Sequence, residues 1–594
     1  MKICPSSSTI ESRALSCMKL GEDVVMHKIK GKVSGALTVL QSLFQKEQRF
    51  ILGLFFMNYF TMAWSLLNAN KVEVMIGYGF TLFLAVVLIA ALLQLLRKRW
   101  LIRLAEGCLV LLCFIPFFVE SFVMYNYKAL LGVGIINSLL ETNQKEALEF
   151  LKMYVGLPEV LAIASLLAAL YFLRRSGLLS HVSICPGKRR RVFALLCLFS
   201  VGYTIRMLTV YTGFFYDNLL PIQRAYASTQ TAVDNMQAYR ELSSQVSQEV
   251  ELTKNDSQIK NIVFILGEST NRNHMHLYGY ELPTTPNLDQ LNEKGEISVF
   301  RNVVSPHSTT IAVLSELFTF CDHESAKPWY EYNNLIDIMN TAGYKTHWLS
   351  NQESSGIWGN VAQIYADHSS VHRFTRIRDS KEDTGILDEE LFPLIDEAVA
   401  NRSQDKNFYV VHLMGGHGLY YNRFPYSFYK FTKDDIHLNV PEQKKEVVAQ
   451  YDDAIYYNDY IVSSIIDKFR DSETLVIYVP DHGEAVYDDG GFAGHIEENP
   501  NRHMIEIPVI MWASDKFKAK YPEKWAEIQS AVNRPYMTDD MIHTVLDLSD
   551  IHTADFDPAK SIVNASFDAS RPRIFNDLDY DKQILTGNVP EDEK

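Results

Sequence analysis

Five apolar stretches, approximately 50–68, 75–96, 104–124, 153–173 and 192–211, constrain this 594-residue chain more than any other feature. Each is long enough to cross about 30 Å of hydrocarbon. In lipid each must be a helix, because nothing there pairs with an open backbone N–H or C=O. Buried helices of a soluble core are the alternative, but five such segments fall together here, with basic flanks. Lys28, Lys30, Lys32, Lys46 and Arg49 precede the first stretch, Arg97, Lys98, Arg99 and Arg103 lie between the second and third, and Arg174, Arg175 and Lys188 to Arg191 lie between the fourth and fifth. All three segments fall on one side of a five-span bundle, which the positive-inside rule makes cytoplasmic. An odd number of spans then puts everything after residue 211 outside.

The expected organisation is therefore a cytoplasmic N-terminal segment over 1–49, a five-helix transmembrane bundle over 50–211, a partly helical bridge over 212–258 and an outside domain over 259–594. The first ~45 residues lack the basic start, apolar stretch and small-residue cleavage site of a signal peptide. Met18 and Met26 are alternative starts, which the intact mass of the native protein would distinguish. In the loop 125–152, Ser138, Thr142 and Glu146 recur every four residues and would share one polar stripe of a helix. That stripe is either a solvated face or a wall that helps to hold a lipid headgroup.

The net charge of −15 argues against a nucleic-acid partner, which demands clustered Lys and Arg. Of seven cysteines only Cys321 lies beyond the apolar region, so the outside domain has no internal disulfide. The Cys321-Asp322-His323-Glu324 sequence lacks the context of a formylglycine sulfatase, and Cys321 reads as a small buried apolar residue.

From Lys260 the pattern becomes apolar strand, turn, helix, repeated. Asn261–Leu266, Lys345–Leu349, Phe408–Met414, Thr474–Val479 and Ile507–Trp512 read as strands, and 333–342, 386–400 and 442–470 read as helices. The alternation predicts an α/β domain with a mainly parallel central sheet. Such sheets carry their sites at the carboxyl ends of strands. There lie Gly267-Glu268-Ser269-Thr270 and Pro480-Asp481-His482-Gly483-Glu484. A carboxylate beside a glycine, and an adjacent Asp-His pair, are donors suited to zinc or manganese. Ser305-Pro306-His307-Ser308-Thr309-Thr310 opens an apolar helical run. A hydroxyl there is either an N-cap or a nucleophile placed where a helix N-terminus stabilises an incoming phosphate. His412 reads as structural, whereas His417 and His495 lie in Gly-rich loops where a phosphate oxygen can approach closely.

Taken with Leu277-Tyr278-Gly279-Tyr280, Thr284-Thr285-Pro286 and Trp348-Leu349-Ser350-Asn351-Gln352, these motifs resemble the phosphoethanolamine transferase family of Gram-negative bacteria, in the alkaline phosphatase/sulfatase superfamily. The resemblance implies an inner-membrane enzyme with a periplasmic catalytic domain. It implies zinc held by Glu268, Asp481 and His482, with Thr310 as nucleophile also at the metal, and His417 and His495 on the phosphoryl group. It implies transfer of phosphoethanolamine from phosphatidylethanolamine, through a covalent threonine intermediate, to a lipopolysaccharide acceptor, core or lipid A. The Ser-Pro-His-Ser-Thr-Thr-Ile form is most similar to the branch that modifies the lipopolysaccharide core. Ser138, Thr142 and Glu146 are the candidate headgroup contacts, and here the chain departs from lipid A-type members, which carry Asn where Ser138 stands, with Asn137 adjacent. Competing readings are a glycerol-phosphate transferase, a phosphodiesterase or sulfatase of the same fold, and an inactive sensor or binding module on a membrane anchor.

Overall fold

The structure, a computed structural model, describes residues 38–39, 41–68, 71–141, 190–210, 220–243, 250–353, 361–376, 387–402, 406–489 and 491–587. The chain divides into two units, Met1–Phe122 with Leu157–Tyr226, and Val123–Gly156 with Ala227–Lys594.

In the first unit, helices α1 (Gln41–Asn68), α2 (Val72–Leu93, continued by a 3-10 turn to Leu96) and α3 (Arg99–Tyr127) are long and apolar enough to cross a membrane. They contain the first three expected spans and begin before each of them. The fourth expected span, 153–173, lies outside the described residues. The fifth is helical as α5 (Arg190–Val210), following α4 (Val133–Glu141) of the second unit, but its apolar run, Leu195–Arg206, is shorter than the other three. Phe80 stacks on Tyr203 at 5.2 Å, and Thr204 Oγ1 donates to Thr81 Oγ1 at 3.4 Å while Arg206 pairs with Glu73, so α2 and α5 meet through rings and polar groups alike. Helix α6 (Pro221–Ser243) follows. Its Arg224 meets Glu120 of α3 in a buried bidentate pair, Nε to Oε2 at 2.6 Å and Nη2 to Oε1 at 2.5 Å. Two charges at that depth are retained only because each satisfies the other.

The second unit is built on a seven-stranded sheet. Its strands are β1 (Asn261–Gly267), β2 (Ile297–Phe300), β3 (Lys345–Glu353), β4 (Val371–Arg376), β5 (Asn407–His412), β6 (Thr474–Pro480) and β7 (Val509–Ala513), in the order β2-β7-β6-β1-β5-β3-β4. The run β6-β1-β5-β3-β4 is parallel, while β7 pairs antiparallel with both β6 and β2. The sheet is mixed, and the expectation that Ile507–Trp512 runs with the others is corrected. An apolar run shows that a strand is buried but carries no sign of its direction. Strands β2 and β4 were not anticipated at all.

Period-two geometry splits β1 between the two faces. Phe264 and Leu266 pack with Val313 and Leu317 of α7 (Thr310–Leu317) and Ile542 and Leu546 of α10 (Met541–Ser549). Val263 and Ile265 pack instead with Leu391 and Ile395 of α8 (Leu391–Ala400) and Ile455 and Ile461 of α9 (Glu442–Lys468). Burial on both faces is why β1 reads as an unbroken apolar run.

Register then places the chemistry. Leu266 is paired with His412 and with Val479, Gly267 with Pro480, and Ser350 with His412. The carboxyl ends of β6, β1, β5 and β3 therefore finish at one level, side by side, and the residues that follow them converge.

A buried ionic group beside this edge carries a pH signature. His274 Nδ1 lies 2.6 Å from Asp452 and Nε2 lies 2.9 Å from Asp488. Burial alone would depress the imidazole, but Asp488 and Asp452 outweigh it and raise it to about 10. A histidine raised from 6.5 stabilises the fold fully below its unfolded value, and that contribution disappears as pH rises through the folded one. The urea midpoint of the native protein should exceed that of His274→Ala near pH 6.5, and the gap should shrink steadily toward pH 10. A gap that does not change with pH would mean that the imidazole is neutral.

Candidate functional site

Glu268 leaves the end of β1 and Asp481 and His482 leave the end of β6, all essentially fully buried. His482 Nε2 is 3.6 Å from Glu268 Oε1 and 3.4 Å from Asp481 Oδ2. Backbone bonds lock the two loops together: Asp481 N–H donates to Gly267 O at 3.1 Å and Thr270 N–H to His482 O at 2.9 Å. Ser269, between them, is held in the left-handed region at φ 52°, its N–H donating to Asp481 Oδ1 at 3.1 Å. Strain of this kind persists where the surroundings enforce it, and it clusters at working sites.

Burial and the neighbouring Asp481 push the Glu268 carboxyl up to about 7. Burial and the adjacent His495 pull His482 down to about 4, so its ring is neutral. His482 Nδ1 lies 2.7 Å from Gly483 O, which fixes the proton on Nδ1 and leaves a lone pair on Nε2. That Nε2 and Asp481 Oδ2 are buried and have no hydrogen-bond partner. Two crowded carboxylates and one neutral imidazole, all within 4.8 Å of one another, fit a divalent cation. An orphaned lone pair beside uncompensated negative charge is what such an ion relieves. His482, Glu484 and His495 form a second such group, sharing His482 with the first.

Thr310 starts α7, and its Oγ1 donates to Glu268 Oε2 at 3.2 Å. The rings of His482 and His495 lie 4.1 Å apart. His495 Nδ1 is 2.6 Å from Glu484 Oε2, and Tyr420 O–H donates to the other oxygen at 2.6 Å. Burial depresses His495, but Glu484 and then Glu268 outweigh it and raise the imidazole to about 9, so it is cationic at neutral pH. His417 follows β5 in a loop packed on the Glu268 backbone, where Gly416 N–H donates to Glu268 O at 3.0 Å. Its position is set by that loop and by Arg423, whose Nε donates to the carbonyls of His417 and Gly418. His412 is buried in β5 with Nδ1 3.2 Å from Ser350 Oγ, and desolvation lowers it to about 3, a neutral ring in the core.

The structure thus brings together Glu268, Thr310, Asp481, His482 and His495, with the His417 loop against them. Thr142 and Glu146 lie outside the described residues, and Ser138 is on α4 with its side chain undescribed. Cys321 is buried and unpaired, and burial pushes its thiol to about 12.

Sequence reasoning missed four supporting residues. Glu484 orients His495. Gln352 donates to Glu268 Oε2 at 3.1 Å. Asp388 takes the N–H groups of Met414 and Gly415 at 2.8 and 3.0 Å and so shapes the His417 loop. Glu497 is bound to the residues just before Thr310. Glu484, Gln352 and Glu497 lay within motifs that drew attention, and Asp388 did not.

Gly415 is held at φ 47°, and a Cβ there would lie 2.5 Å from Glu268 O. Gly415→Ala must displace the Glu268 backbone as well as strain its own, costing about 1–3 kcal/mol. We expect a lower melting temperature together with weaker zinc binding, measured by calorimetry and metal analysis. Wild-type metal affinity in a destabilised variant would show that the loop moves instead of Glu268.

Known proteins match both parts of the chain. Residues 260–551 match the Sulfatase family, and residues 85–234 match the family described as Phosphoethanolamine transferase EptA/EptB. Phosphoethanolamine transferase EptC of Escherichia coli (strain K12) is 32% identical over 339 residues, 54% of this chain and 57% of that protein. The chain thus matches little more than half the length of that relative. The crystal structure of the C-terminal periplasmic domain of Escherichia coli EptC in complex with Zn is 30% identical, with a TM-score of 0.54, covering 58% of this chain and 100% of that one. The integral membrane protein lipooligosaccharide phosphoethanolamine transferase A of Neisseria meningitidis shares the fold, with a TM-score of 0.59 at 20% identity over 86% of this chain and 98% of its own.

Proposed function

This chain belongs to the phosphoethanolamine transferase family of the alkaline phosphatase/sulfatase superfamily, and from that premise we propose that it transfers phosphoethanolamine from phosphatidylethanolamine to lipopolysaccharide. The observation that carries the reading is the convergence of Thr310 with Glu268, Asp481 and His482 at the meeting of a helix start and two strand ends. Glu268, Asp481, His482 and Thr310 would hold the metal. Zinc suits one imidazole with two carboxylates, and the E. coli EptC domain is a complex with Zn. A bound zinc supplies Lewis-acid charge that acidifies a hydroxyl and offsets negative charge on phosphoryl oxygens.

The chain's own groups do the rest. Thr310 gives up its hydroxyl proton along its hydrogen bond to Glu268, and its Oγ1 attacks phosphorus. A Thr310 Oγ–P bond forms as the bond from phosphorus to the diacylglycerol oxygen breaks. The cationic His495, steadied by Glu484, donates the proton that leaves with diacylglycerol, and His417 faces the phosphoryl oxygens with it. In the second half an acceptor oxygen attacks phosphorus, its proton returns to His495, and Thr310 Oγ departs, taking back its own proton from Glu268. Phosphoethanolamine then sits on the acceptor and the enzyme is restored. The N-terminal bundle is multi-pass in the inner membrane with its N-terminus inside. Tethering the periplasmic domain, over 259–594, to the membrane raises the effective concentration of the lipid donor. Ser138, Thr142 and Glu146 are proposed for the headgroup, and the lipopolysaccharide core is the favoured acceptor.

Mass spectrometry of lipopolysaccharide from cells with and without this protein tests the reading. The expected result is a phosphoethanolamine substituent that disappears with the gene and returns with the intact chain. Identical lipopolysaccharide, with glycerol phosphate moving to another acceptor, would overturn it.

A further inference from the structure

Glu497 has no place in the chemistry above, yet its side chain is only 11% exposed, and it sits two residues beyond His495 and is fully engaged. Its Oε1 accepts from Ser308 N–H at 2.7 Å and from Thr309 Oγ1 at 3.1 Å. Its Oε2 accepts from Asn576 Nδ2 at 2.7 Å and lies 3.3 Å from His307 Nδ1. His307 Nε2 is in turn 3.3 Å from Glu316 of α7. One carboxylate therefore ties down each of the three residues before Thr310. The loop carrying Glu497 is anchored on its far side: Glu498 Oε1 accepts from Ile135 N–H at 3.3 Å, and Asn499 Nδ2 donates to Tyr127 O at 2.9 Å.

Thr309 is the N-cap of α7, in extended conformation at φ −129° and ψ 138°. A threonine there ordinarily turns its oxygen onto the N–H groups of the first helical turn. Thr309 makes no such bond, its side chain being turned toward Glu497, to which the hydroxyl donates. The first-turn N–H groups keep their partial positive charge next to Thr310, where an anion would take it up.

We infer that Glu497 is a positioning residue for Thr310: it fixes the turn that presents the nucleophile and diverts the Thr309 hydroxyl from capping α7, leaving the helix N-terminus open to the transferring phosphoryl group. This rests on the proposed transfer reaction. Without the carboxylate, Thr309 rotates onto the first turn and competes with the phosphoryl oxygens.

The test uses full-length protein in phosphatidylethanolamine-containing vesicles, measuring diacylglycerol release and zinc content. Glu497→Ala should lower kcat by about a hundredfold, the scale of a misplaced reacting group, with KM for the lipid and zinc content little changed. Adding Thr309→Val to it removes the competing hydroxyl and should restore about tenfold. A Glu497→Ala enzyme within about threefold of wild type, or no recovery in the double variant, overturns the inference. Should Glu497→Ala not fold, Thr309→Val alone decides. Its turnover should match wild type, and a fall of about tenfold or more would place Thr309 itself in the chemistry. Wild-type protein that releases no diacylglycerol would instead defeat the transfer reaction itself.

Discussion

Thr310→Ala should abolish diacylglycerol release from phosphatidylethanolamine, by about a thousandfold or more, while the protein still folds and still binds zinc. Removing a covalent nucleophile costs rate on that scale because nothing else supplies the attacking oxygen. Folding should survive because Thr310 is half-buried, its Oγ1 makes one hydrogen bond to Glu268, and alanine is a better helix former than threonine at this first position of α7. Thr310→Ser is the informative companion. It keeps the oxygen and loses one methyl, so it should retain measurable release. An alanine variant with activity comparable to the serine variant would point to water as the attacking group.

The second large effect concerns the metal set. Asp481→Asn should cut zinc content from about one per chain to nearly none, because an amide oxygen is a far poorer ligand than a carboxylate, and should stop transfer with it. The stability consequence runs the other way once zinc is stripped. Burial and the adjacent Asp481 raise Glu268 from 4.5 to about 7. An acid raised in the fold contributes stability that is present below its unfolded value and is lost as pH rises through the folded one. Chelator-treated wild type should therefore lose about 3 kcal/mol from this group between pH 4.5 and pH 8. Chelator-treated Asp481→Asn, with one repulsive charge fewer beside Glu268, should lose less and melt higher than stripped wild type at pH 8. Equal pH dependence for the two stripped proteins would mean that the carboxylates do not share the site.

Much of this site is legible in the sequence, for a physical reason. A strand buried on both faces appears as an apolar run, and in a parallel sheet the residue that ends the run lies on the ligand-binding edge. Glu268 after Ile262–Leu266 and the Asp481-His482 pair after 474–479 stand out on that logic alone. Their mutual distance is not legible, since it depends on β1 and β6 being neighbours in register. Direction was not legible either. The run 507–512 is equally apolar whichever way it points, and β7 turned out to run against β6.

The supporting groups were hidden for a third reason. Glu484, Asp388 and Glu497 are ordinary acidic residues in a chain rich in them, and each acts on a partner distant in sequence or carried on a Gly-rich stretch. Asp388 holds a turn 26 residues away, and Glu497 holds Ser308 across 189. No spacing rule links such pairs. Each is defined only when the fold brings a carboxylate to an N–H or hydroxyl that would otherwise lack an acceptor.

The most direct measurement is peptide mass spectrometry of full-length enzyme quenched during turnover with phosphatidylethanolamine and no acceptor. The proposed chemistry predicts one phosphoethanolamine adduct, on the peptide containing Thr310 and localised to that residue, which vanishes when lipopolysaccharide is added and never forms in Thr310→Ala. An unmodified Thr310 in enzyme that is releasing diacylglycerol, or an adduct on any other residue, would contradict it.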